Sequence, residues 1–62
     1  MKYVLVESIM GGVGRLVDVF DTEEEAKKKR DIHDRDLSID KCSEEFIERV
    51  NENGGYIEKN ML

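Results

Sequence analysis

Several groups of residues have types and spacings that could do chemistry. The first is Gly11-Gly12-Val13-Gly14-Arg15. Glycines let backbone N–H groups close on a phosphate, but such a loop must run from a strand into a helix, whose N-terminus then faces the anion. Here the flanking runs on both sides read as strands, no Gly-Lys-Ser/Thr follows, and the spacing is not G-x-G-x-x-G. The cluster therefore reads as a strand-to-strand turn. The second group, Lys27-Lys28-Lys29-Arg30, could touch nucleic-acid phosphates, with Arg15 at the turn as a further contact. Three glutamates precede it and Asp31 and Asp34 follow, so most of its charge is neutralised within its own helix. No aromatic residues interleave to stack bases.

His33 is the only histidine, and Asp31, Asp34 and Asp36 surround it. No second ligand stands at helical i,i+4 spacing, so a helix residue at the edge of the core is the simpler reading. Cys42 is the only cysteine. It falls on an apolar stripe, as a structural thiol does, and a Cys42–His33 nucleophilic pair would still need an orienting third group. Glu44, Glu45, Glu48 and Glu52 line the outer side of a helix and read as a solvated face. No catalytic residue, metal site or cofactor is expected from these patterns.

The elements that position these residues can be read from patterning. Residues 2–9 and 15–20 are β-branched, aromatic and apolar, and form a hairpin about the glycine turn. Pairing Met10 with Arg15 would set Glu7 against Asp18, so we expect Ile9 opposite Arg15 and Glu7 opposite Val17. One face then carries Val4, Val6, Ser8, Leu16, Asp18 and Phe20. The other carries Tyr3, Leu5, Glu7, Ile9, Arg15, Val17 and Val19.

Asp21 or Thr22 caps a first helix that runs to about Leu37, with Glu23, Glu24 and Glu25 in its first turn. Glu23–Lys27, Glu24–Lys28 and Glu25–Lys29 are i,i+4 pairs in the favourable order. Ile39, Cys42, Phe46, Ile47 and Val50 recur on one helical face and mark a second helix, capped by Ser43 or Asp40 and ended by Asn53-Gly54-Gly55. Residues 56–62 supply a short third strand, expected beside the first, which is the most continuously apolar.

Length allows one domain, residues 1–62. The expected class is α+β, in the order β-β-α-α-(β). Net charge is −5, which opposes general attraction to nucleic acid or anionic membrane. No apolar run approaches the roughly 18 residues of a membrane span, and the N-terminal run is too soon charged for a signal peptide. With one cysteine, a cytoplasmic location is expected.

Two helices packed on one face of a small sheet would leave the other face open. That points to a non-enzymatic interaction protein, an adaptor, inhibitor or regulator, whose partner is another protein or a second copy of itself. The expected contacts are Tyr3, Leu5, Val17 and Val19. The alternatives are a nucleic-acid-associated regulator acting through Lys27 to Arg30, and a homodimeric structural domain.

Overall fold

The computed structural model describes residues 1–61. β1 (Lys2–Ile9) and β2 (Val13–Phe20) pair antiparallel as the expected hairpin. The chain reverses through Gly11 and Gly12, at φ 84° and 77°, which glycine adopts without a Cβ clash. Gly14 is needed for another reason. A Cβ there would lie 2.8 Å from Val6 Cγ1, closer than carbon atoms approach.

The hairpin register corrects the sequence expectation. Glu7 lies opposite Arg15, and Ile9 opposite Val13. The register then shifts by one residue between Leu5 and Val6. Continued without the shift, the tip register would place Asp18 across from Val4; with it, Asp18 lies across from Leu5, and its carboxylate accepts the Val19 N–H at 2.8 Å. The extra residue brings Val19 opposite Val4 and Phe20 opposite Tyr3. Val19 thus moves to the Val4 face and Phe20 to the Tyr3 face.

Helix α1 (Glu23–Asp31) is shorter than expected. Thr22 caps it, its hydroxyl accepting from the Glu25 N–H at 3.2 Å and donating to the Glu25 carboxylate at 3.0 Å. Of the three expected i,i+4 pairs, Lys27 meets Glu23 at 3.0 Å, while Glu25 is engaged by the cap.

The chain then turns, and Leu37–Cys42 forms a strand, β3, where the sequence suggested helix. It pairs antiparallel with β1 through six consecutive residues, from Lys2↔Cys42 to Glu7↔Leu37. His33 therefore lies in a loop, half-buried, and Ile39 and Cys42 are strand residues. Ser43 caps helix α2 (Glu44–Glu52), accepting from the Phe46 N–H at 3.2 Å. Gly54 ends α2 in the left-handed region, φ 74°.

The tail does form a strand, β4 (Tyr56–Ile57), but beside β2 rather than β1. Leu62, the last residue of that expected segment, lies outside the described residues. A 3-10 turn, Lys59–Met61, follows. The sheet order is β3-β1-β2-β4, so β1 is central as its composition implied.

The helices cover opposite faces. Val4, Leu5 and Val6 are consecutive and all buried. Strand side chains alternate, so both faces of β1 must be covered. α1 lies across β1, β2 and β3, and its Ala26 packs with Leu5 and Leu37. On the other face Phe46 of α2 stands with Val6 and Ile57 around a cavity, and Val50 is 1% exposed. The small α+β domain stands as expected, with a strand added between its helices.

Replacing Gly14 with alanine tests the close strand–strand approach. We expect Gly14→Ala to lose about 1–3 kcal/mol, read by chemical denaturation. Wild-type stability in that variant would mean that Val6 turns away freely.

Candidate binding surface

The expected contact residues do not form a free surface. Leu5 is fully buried, and Tyr3 and Val17 pack against the cluster of Leu5, Ala26 and Leu37. Val19 lies on the opposite face, paired with Val4. The face that holds Tyr3, Leu5 and Val17 is closed by α1, because the helices divide between the two faces instead of sharing one.

The basic run is also divided. Lys27 and Arg30 face a groove between α1 and β3. Lys28 and Lys29 stand on the other side of α1, beside Phe20 and Ile32. One continuous phosphate-binding stripe is not formed. Arg15 turns to Glu7 at 3.2 Å, and Arg35 reaches the same carboxylate at 3.4 Å. That cluster joins the hairpin to the loop before β3.

Among the described residues no three His, Cys, Asp or Glu side chains converge as metal ligands. Cys42 sits half-buried at the end of β3, in a cavity of about 370 Å³ with Val6, Gly14, Phe46 and Ile57. Burial, and then the charge of Asp40, push its thiol pKa up from the ordinary value. A raised pKa lowers the thiolate fraction, so this thiol is a poor nucleophile at neutral pH.

What the fold leaves open is backbone. β3 is an edge strand, and no strand lies beyond it among the described residues. The phase of its hydrogen bonding follows from its neighbours. Leu16 donates its N–H outward to the Gly55 carbonyl at 2.8 Å. Its partner Val6 therefore turns toward β3, where Ser38 lies opposite. Alternation then aims the N–H and C=O groups of Ile39 and Lys41 away from the sheet.

The other edge is blunted. β4 covers the start of β2 by pairing with Gly14 and Arg15. Beyond it the shifted register distorts β2, and the Asp18 carboxylate accepts the Val19 N–H at 2.8 Å. β3 has neither a covering strand nor a bulge among the described residues; its only blunting features are the charges of Asp40 and Lys41.

Beside the β3 edge runs the groove, about 630 Å³ in volume. Tyr3, Leu37 and Ile39 give it apolar walls, Lys27, Arg30 and Lys41 give it positive charge, and Glu23 and Asp40 border it as acids. The Lys41 ammonium lies over the Tyr3 ring, 5.8 Å from its centroid. This surface was not among the sequence expectations, because it depends on a strand they did not contain.

The Cys42 environment predicts slow reaction with a disulfide reagent. At pH 8 the native thiol should react several-fold more slowly than after denaturation. Equal rates would mean that neither burial nor Asp40 acts on it.

No protein-family model matches this chain, and comparison with characterised proteins and with solved structures finds no match either.

Proposed function

We propose that this protein is a small non-enzymatic interaction domain that binds a larger protein through the outer edge of β3. The observation that carries the reading is the contrast between the two sheet edges. One is shortened, bulged and capped by its own carboxylate. The other is regular over its whole length and lies beside a groove. Edge strands with unpaired backbone groups are templates for another strand, and folded proteins commonly protect them. An edge left regular where its counterpart is blocked suits strand addition by a partner.

The reading moves the contact surface away from Tyr3, Leu5, Val17 and Val19. Tyr3 keeps a part in it, as a wall of the groove. Binding through backbone also suits the chemistry of the surface, which offers hydrogen-bonding groups and charges rather than a broad apolar patch.

Lys41→Pro tests the reading. Proline at an outward position removes a donor from the free edge without removing a bond to β1. Tagged wild type and variant are compared for capture of proteins from nuclease-treated lysate, with circular dichroism as the folding control. A protein held at stoichiometric yield by wild type and lost by the folded variant is the expected result. Retention of the same protein by folded Lys41→Pro would sink the edge as the binding site.

A further inference from the structure

We infer that the segment that pairs with β3 is extended and carries acidic side chains on its α1-facing side. This rests on the interaction reading above and adds the chemistry of the partner. An extended chain is required because the outward groups of Ile39 and Lys41 repeat with strand spacing, and a second strand meets them in register. Alternate side chains of that strand then fall on the α1 side, into the groove, and the rest on the α2 side.

The groove decides which side chains fit. Lys27, Arg30 and Lys41 face it; Glu23 of α1 is engaged by Lys27 at 3.0 Å, and Asp40 borders the groove but alternates to the face of Val4. Arg30 has only a long contact, to Asp31 at 3.9 Å, and Lys41 has no ion pair among the described residues. Two cations are thus left for a ligand, on a chain whose net charge is −5. A carboxylate at each of two alternate positions of the incoming strand would meet them.

On the opposite side the pattern reverses. Asp40 alternates with Ile39 and Lys41 and shares the α2 face with Val4. An acid placed across from it would face a like charge, which is destabilising. The structure therefore favours an alternating partner, acidic toward α1 and neutral toward α2.

A second copy fits poorly. Two β3 strands paired antiparallel about a two-fold axis bring the same sheet faces together. The two grooves would then lie side by side, each with its Glu23 already engaged by Lys27, which leaves Arg30 and Lys41 facing like charges.

The test is a titration of the isotope-labelled chain with short, end-blocked synthetic peptides of alternating sequence, Glu-Thr, Gln-Thr and Lys-Thr, followed by backbone amide shifts. The Glu-Thr peptide should move the Ile39 and Lys41 amides and bind roughly tenfold more tightly than Lys-Thr, a gap that two exposed ion pairs can supply. The folded double variant Arg30→Gln/Lys41→Gln should close that gap. Equal affinity of the Glu-Thr and Lys-Thr peptides at β3 would overturn the acidic partner and leave the edge reading standing. No shift at Ile39 and Lys41 with any peptide would overturn the proposal too; whether the edge binds a protein at all is read separately, by Lys41→Pro capture. Concentration-dependent shifts at those amides without peptide would overturn it in favour of a second copy.

Discussion

The fold depends on one constraint, that three consecutive residues of β1 must leave water. Val4, Leu5 and Val6 are 0%, 0% and 8% exposed. Alternation sends them to two faces, so a single covering layer cannot bury them. α1 takes one face and α2 the other. The strand must also be flanked on both edges, because its backbone groups have no water to bond with. β2 supplies one flank and β3 the other. The bulge sets Val19 opposite Val4 and Asp18 opposite Leu5. Each fully buried aliphatic side chain contributes about 1.5–3 kcal/mol as an upper estimate. In a chain of 62 residues, a few such side chains decide whether it folds.

Meeting that constraint uses up the apolar surface. Both sheet faces are covered, and the exposed large apolar residues are scattered: Met1 at the terminus, Ile9 and Met10 at the hairpin tip, Ile32 after α1, and Tyr56 in β4. Single exposed apolar residues are normal on small proteins and identify no surface. The distinctive feature left is directional. Groups on the outer edge of β3 have fixed positions, fixed spacing and no strand beside them among the described residues. The same central position of β1 that closes both faces forces β3 to the margin, so the stability of the core and the open edge come from one arrangement.

The sequence discloses what local physics decides. The hairpin, its glycine turn, the Thr22 and Ser43 caps and the Asn53-Gly54 stop all follow from residue preferences within a few positions, and the structure has them. β3 was hidden because its apolar residues fit two periods at once. Leu37 and Ile39 alternate as in a strand, whereas Ile39 and Cys42 continue the helical stripe of Phe46 and Val50. The deciding signal was present in Ser43, since a helix cap needs extended backbone, which sets Ile39 and Cys42 outside α2. The bulge had no such signal, because register is set by pairing across the sheet and not by residues adjacent in the chain. The contact residues Tyr3, Leu5, Val17 and Val19 followed from giving both helices to one face. Once β3 existed, the helices were separated by a strand and divided, and the open surface moved from face to edge.

Charge shows why a site of this kind is invisible to composition. A net charge of −5 describes the field far from the protein, and there it repels an acidic segment. Within a groove the relevant distance is a few ångströms, shorter than the screening length of about 8 Å at physiological salt. Arg30 and Lys41 lie within that range, while the glutamates on the outer side of α2 do not border the groove. The two effects respond oppositely to salt. Screening removes the distant repulsion, and it weakens the local pairs less because their charges lie within one screening length. An acidic strand would therefore approach slowly and be held by backbone hydrogen bonds, with the cations setting which strand fits rather than how fast it arrives. Selectivity of that kind belongs to the placement of two side chains beside one strand, and net charge carries no trace of it.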